Sequence, residues 1–513
     1  MTTQSPNDTY TSPLAARNAS PEMCRIWSPR HKFQTWRRIW LAVAEAQHEV
    51  TKDWDKPLVS MEQIEELRAN LDVTDEDLKL AAKYEAELRH DVMAHVHAWG
   101  DRCPKARPII HLGMTSQDVV CNADLLVIRD ALWLIRLKSV QATIALGNEA
   151  GNHAQKPCLG FTHYQTAQPV TVGRRLAQHS NDLERINGLF VEREHAIFLR
   201  GLRGATGTQA SFLALFNDDH DLVAEFEARF FARVDPLQFS SSYSVDELLD
   251  EYREQQSIHA NHLTTQTYPR VLDAVVLADL ASIASVLHKI ATDIRLLSNR
   301  KEIDEPFGKN QIGSSAMPYK RNPMKCERIC GLTRFVMNLV GNAYDTAATQ
   351  WLERTLDDSS NRRLSLPEAF LALDGALDLM HQVASGLVVN EAMVRKNLMA
   401  ELPFLATENI MMEAVKAGGD RQDLHEKIRV HAQEAGYRVK QEGLENDLID
   451  RLRADPAFES VHHLLTEDQL LDPMKYVGRS VEQTERFLKE VVEPLRERYG
   501  DELDNLGSSD RGV

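Results

Sequence analysis

The 513-residue chain is short of cysteine and of positive charge, and each shortage removes a class of function. Its six cysteines, Cys24, Cys103, Cys121, Cys158, Cys326 and Cys330, form no Cys-x-x-Cys pair and no dense framework. This argues against a disulfide scaffold and suits a reducing cytosol. Lys and Arg number 59 against 76 Asp and Glu, and the formal net charge of −17 argues against a nucleic-acid groove. Local basic clusters for a small anion remain compatible with it. No basic N-terminal region precedes an apolar run, and no stretch approaches the roughly 20 apolar residues that span a bilayer, so neither export nor a membrane is expected. His90, His95 and His97 share one predicted helix, but His95 and His97 point about 200° apart. No Cys or His-x-x-x-His frame supports them, so no metal site is expected. Internal repeats and low-complexity segments are absent as well.

What is present is a long chain, 43% hydrophobic, with apolar residues at helical spacing. Residues 1 to about 30 are polar with four prolines and read as an extended arm. Helices are expected over His31–Val50, Met61–Leu71 and Asp75–Trp99. Longer ones run from the cap Thr115 to Gln155, and over Val170–Arg200, Val271–Asn299, Met324–Thr349 and Arg363–Leu387. Shorter helices follow from about Val389, punctuated by Pro403, Gly418-Gly419 and the cap Asp420. The expected fold is all-α, with an N-terminal helical domain over 1–114, a central long-helix bundle over 115–388 and a small C-terminal helical domain over 389–513. An acidic, amphipathic excursion from about Asn217 to His262 carries Phe226, Phe230, Phe231, Leu248 and Leu249, with no role legible in it.

The stretch Gln311–Glu327 concentrates the chemistry. Gly313, Ser314 and Ser315 give a mobile backbone with two hydroxyls, and Pro318 ends any helix through this point. Asn322 reads as an N-cap and Pro323 as the first helical residue, so unpaired amides would collect beside Lys320 and Arg321, where a carboxylate would sit well. Taken without its context, Lys-Arg-Asn-Pro is a polar turn before a helix. A second stretch, Phe161–Pro169, places His163 in a short loop. A third, Glu353–Arg363, spaces Arg354 from Asp358 and Ser359 from Arg363 as i,i+4 pairs. That spacing fits a salt-bridged surface or a phosphate site. Gly201–Gly207 lacks the Gly-Lys-Ser ending of a phosphate loop and reads as a turn between helices.

Gly-Ser-Ser-Ala-Met-Pro-Tyr-Lys-Arg-Asn-Pro resembles the signature of the fumarase/aspartase superfamily, in the form of its purine-nucleotide branch, and Thr-His-Tyr-Gln-Thr-Ala-Gln resembles its second motif. The similarity runs from about Ser12 into the C-terminal region. It implies a cofactor-free, cytoplasmic lyase that releases fumarate from a succinylated purine nucleotide and from succinylated aminoimidazole carboxamide ribotide. It also implies a homotetramer whose subunits pool their long helices. By the resemblance His163 is the general acid, Ser314 the base, Lys320 its electrostatic support and Glu327 the carboxylate that orients the imidazole. Substrate contacts fall on Arg17, on Arg89, His90 and Asp91, on Thr115, Ser116 and Thr162, and on Gln266, Asn322, Arg328, Arg354, Ser359 and Arg363. Lys301–Lys309 reads as the hinge of the signature loop. Asn18 and Thr166 depart from the family's aromatic residue and proline. Alternatives are an argininosuccinate or aspartate lyase, which the arginine cluster disfavours, and an inactive helical scaffold, which retention of His163, Ser314, Lys320 and Glu327 disfavours.

Overall fold

The computed structural model describes residues 8–194, 197–234, 263–466 and 472–506. Helices dominate these residues. The described strands form two antiparallel pairs, Pro157–Thr162 with Gln165–Thr171 and Ile303–Asp304 with Val388–Val389. The all-α expectation holds. The chain divides into two compact units, one of Met1–Arg136, Ile186–Ser285 and Leu332–Ala376, the other of Leu137–Arg185, Val286–Gly331 and Leu377–Val513.

In the first unit, Trp36 and Trp40 of the Pro29–Thr51 helix pack with Trp99 of the Asp91–Arg102 helix, all nearly inaccessible to solvent. The His220–Val234 helix buries Phe226, Phe230 and Phe231 and docks on Pro29–Thr51, where Arg229 and Arg233 pair with Glu45 and Glu49. It is the described part of the acidic excursion; Leu248 and Leu249 lie outside the described residues.

The expected extended arm is corrected. Leu14–Asn18 forms a wide helical turn and Pro21–Ile26 a helix, with Met23 and Ile26 buried. Pro21 and Pro29 do not break structure but open helices at the first position, behind the side-chain caps Ser20 and Ser28. Buried Ser20 also donates from its N–H and Oγ to Asp374, at 2.5 and 3.0 Å.

Asp75–Trp99 is not one helix. It breaks into Asp75–Leu88 and Asp91–Arg102 at Arg89, whose φ of 54° is left-handed, and His90 caps the second helix by accepting the Met93 N–H. Neither Gly nor Pro marks the break.

Val271–Asn299 corrects the expectation that no stretch is long and apolar enough to cross a membrane. Its most apolar window has mean hydropathy 1.8 and is 44% buried. Its Asp273 is buried against Tyr268 and Arg362, as in a protein interior, and a helix apolar on several faces suits a multi-helix core. The last long helix begins at Asp357 rather than Arg363.

The second unit holds the Pro157–Thr171 hairpin against the Glu391–Leu405 helix, with a separate apolar cluster around Ile410, Leu448, Leu452 and Phe458.

Burial holds two imidazoles of the first unit neutral. His95 stacks on Phe33 at 3.6 Å, and burial, assisted by Arg37 and Lys32, lowers its pKa to about 4. His111 accepts the Trp40 indole N–H at 3.0 Å, and burial lowers it to about 4 as well. Folded values below the unfolded one mean that protonation favours unfolding. The stability these groups contribute is complete above about pH 6.5 and is lost as pH falls towards 4, by up to about 1.4 kcal/mol per pH unit for each. Urea unfolding at pH 7 and pH 5 should show a steep loss for the wild type and a flatter one for the His95→Gln/His111→Gln pair. Parallel pH profiles would contradict this.

Candidate active site

A cavity of about 930 Å³ opens in the first unit, at the upper end of the small-molecule range. Nine of the expected substrate contacts line it: Arg89, His90, Asp91, Thr115, Ser116, Gln266, Arg354, Ser359 and Arg363. They arrive from four stretches of chain, and each is fixed by a local device. The left-handed break at Arg89 turns Arg89-His90-Asp91 out of the helix line, and His90 Nε2 comes within 3.4 Å of Ser116 Oγ. Thr115 and Ser116 are anchored through Asp118, which has no exposure. Its Oδ2 accepts the Thr115 N–H at 2.7 Å. Its Oδ1 accepts Arg200 Nη1 at 2.5 Å and the N–H groups of Arg203 and Gly204 at 2.9 and 3.0 Å. The glycine-rich turn therefore serves as a clasp on the start of the Ser116–Asn152 helix.

Arg354 precedes its helix. Its Nε donates to Thr355 O at 2.9 Å, and its Nη2 lies 3.2 Å from Ser359 Oγ and 3.4 Å from Asp358 Oδ1. Burial lowers its pKa, with Asp358 opposing. Ser359 thus pairs with Arg354. Arg363 reaches Asp91 Oδ2 at 2.9 Å instead of making the expected partner on its own helix. Gln266 is held by Ala205 O at 2.9 Å.

Sequence reasoning missed Lys32, Asp124, Arg270 and Arg362, which share the lining. Arg362 donates to Asp273 at 2.5 Å, to Asp124 at 3.0 Å and to the Tyr268 hydroxyl, which in turn donates to Asp273 at 2.6 Å. Against the desolvation of burial, Asp273, Tyr268 and Asp124 hold the guanidinium well above its ordinary pKa. Burial pulls Lys32 down, and Arg363 adds to that. The signal for Arg270 lay in Tyr268-Pro269-Arg270, which begins two residues after Gln266.

Thr162, His163, Ser314, Lys320, Asn322, Glu327 and Arg328 belong to the second unit. The expected loop around His163 is a β-hairpin in which Thr162 faces Gln165. His163 and Tyr164 form its tip at φ of 53° and 57°, a left-handed pair unusual without Gly or Asn. Gly160 permits close strand approach, since a Cβ there would meet Gln168 O at 2.2 Å. Thr166, in place of the family's proline, directs its hydroxyl to Glu401 at 3.4 Å. The exposed His163 ring has no hydrogen-bond partner among the described residues, and Glu327 lies 4.0 Å from Arg295 rather than beside the imidazole.

The signature loop is tightly folded. Ser314 Oγ accepts the Met317 N–H at 3.1 Å, Asn322 Nδ2 donates to Gly313 O at 2.8 Å, and a Cβ on Gly313 would meet Lys320 O at 2.1 Å. Lys320 is exposed. Two expectations are corrected here. The helix starts at Met324, and the Asn322 side chain spans the loop rather than capping it. The amides expected to receive a ligand carboxylate are taken by the chain's own Glu305, whose oxygens accept the Lys325 and Cys326 N–H groups at 3.0 and 2.9 Å. The hinge expected over Lys301–Lys309 is accordingly anchored, with Glu302, Ile303 and Glu305 buried and Ile303–Asp304 paired to Val388–Val389. Arg17 is exposed on its turn and does not line the cavity, and Arg328 is half-buried.

Residues 15–250 and 243–338 match the family model described as Lyase, and 403–487 match the one described as Adenylosuccinate lyase C-terminus. The chain is 45% identical to the adenylosuccinate lyase of Saccharomyces cerevisiae, covering 96% of this chain and 98% of that one. It is 46% identical to that of Schizosaccharomyces pombe (94% and 95% covered) and 31% identical to that of Pyrococcus abyssi (94% and 98%). Among solved structures, the 3-carboxy-cis,cis-muconate lactonizing enzyme of Pseudomonas putida shares the fold at a TM-score of 0.78 and 24% identity, covering 94% of this chain and 100% of that one.

Replacing Glu305 by Ala strips two helix amides of their acceptor. It should lower stability by about 1–3 kcal/mol in urea unfolding. An unchanged midpoint would mean that the cap does not hold the loop.

Proposed function

The chain belongs to the adenylosuccinate lyase family and is a fumarate-releasing lyase of purine biosynthesis, and we propose that its own residues divide that elimination between a nucleotide cavity and a signature loop. The substrates are adenylosuccinate, giving AMP, and succinylated aminoimidazole carboxamide ribotide, giving the free carboxamide. The observation that carries this reading is the concentration of Arg354, Ser359, Arg363 and Arg89 around one cavity, a donor set suited to a phosphate monoester.

Ser314 removes the proton from the carbon beside a succinyl carboxylate, and His163 protonates the departing nitrogen. A serine hydroxyl is a weak base, so its anion needs a cation in a site closed to water. With the helix amides already bound to Glu305, that stabilisation falls to Lys320. Arg17, Thr162, Asn322 and Arg328 complete the substrate contacts, and Glu327 charges the imidazole.

Neither His163 nor Glu327 meets its expected partner within the chain, which favours sites shared between subunits. Exposed apolar residues along the long helices, among them Trp133, Leu189, Val271, Phe335, Tyr344 and Leu364, favour a homotetramer with 115–388 as its shared core. The setting is cytoplasmic, with no role for membrane or nucleic acid.

His163→Ala and Ser314→Ala should each lower kcat at least 1,000-fold while AMP still binds. Co-refolded, the two inactive variants should recover part of the activity. Mixed tetramers, verified by mass and still inactive, would place both residues in one chain.

A further inference from the structure

The three arginines behind the cavity share three carboxylates unevenly. Arg362 is taken by Asp273 and Asp124. Arg270 and Arg354 share one carboxylate, Asp358, whose side chain has no exposure. Two guanidiniums on one carboxylate leave more donors than acceptors at the wall that also carries Ser359, while the matching carboxylate lies on Arg362.

Arg270 is the more constrained of the two. Only 4% of it is exposed, its Nε donates to Asp358 Oδ2 at 2.7 Å, and its guanidinium lies 4.6 Å from the centre of the Tyr268 ring. Yet its buried Nη1 has no hydrogen-bond partner among the described residues, although Arg270 borders the cavity. Leaving a buried charged donor unpaired is unfavourable, so this arrangement favours a cavity whose ligand supplies the acceptor.

We propose that Arg270 is a further phosphate-binding residue, and that Asp358 positions Arg270 and Arg354 together so that both guanidiniums meet one phosphate at Ser359. Arg270 is then a direct contact and Asp358 a positioning residue that never touches the ligand. The inference rests on the nucleotide reading of the cavity and names which buried groups recognise the phosphate.

The test compares adenylosuccinate with its dephosphorylated nucleoside, and measures AMP binding by calorimetry. Arg270→Met should raise KM for adenylosuccinate by about 10- to 100-fold with a smaller change in kcat, weaken AMP at least 10-fold, and leave kcat/KM for the nucleoside within about 3-fold. Asp358→Asn should act in the same direction through KM. The paired Arg270→Met/Asp358→Asn variant removes both charges and keeps the test available should either single variant misfold. Equal losses on nucleotide and nucleoside would make Arg270 structural, and unchanged AMP affinity would overturn the proposal. Failure of the wild type to cleave adenylosuccinate would overturn the functional reading alone if AMP binding still depended on Arg270. Failure of the wild type to bind AMP would overturn both.

Discussion

Buried carboxylates holding arginines and backbone amides are the constraint on which the cavity depends. Asp118, Asp273 and Asp358 are almost inaccessible, and each fixes groups brought from distant parts of the chain. Such pairs contribute little net stability once desolvation is counted, whereas removing one partner costs about 3–5 kcal/mol. Their benefit is geometric. A guanidinium held on two sides presents its remaining donors in one orientation, as recognition of a phosphate requires.

The second unit solves a different problem with backbone. His163 stands on a left-handed turn that closes the paired hairpin, and Ser314 stands in a loop folded back on itself through Gly313 and Asn322. Glu305 fills the helix start beneath that loop, so the Lys325 and Cys326 amides are already satisfied within the chain. Backbone strain like that at the hairpin tip concentrates at functional sites, in keeping with the role proposed for His163.

Much of this was legible in the sequence. Helical spacing gave the all-α fold, and Val271–Asn299 emerged with both ends as read. The arginine and serine positions around the cavity were legible because they lie within short motifs. What escaped depends on partners far away in the chain. Arg270 acquires its meaning from Asp358, 88 residues on, and Arg362 from Asp273, 89 residues back. The break at Arg89 carries no Gly or Pro, and tertiary context overrode the local helical preference there. Polarity and four prolines alone point to an extended arm over residues 1 to about 30, whereas weighing the serine caps before Pro21 and Pro29 makes those prolines helix starts.

The central claim is that the cavity selects a phosphorylated purine substrate for fumarate elimination. The direct measurement is fumarate release by the purified wild-type protein, followed separately with adenylosuccinate and with argininosuccinate at matched concentrations. The account predicts release from adenylosuccinate and none above background from argininosuccinate. Release from argininosuccinate alone would contradict it.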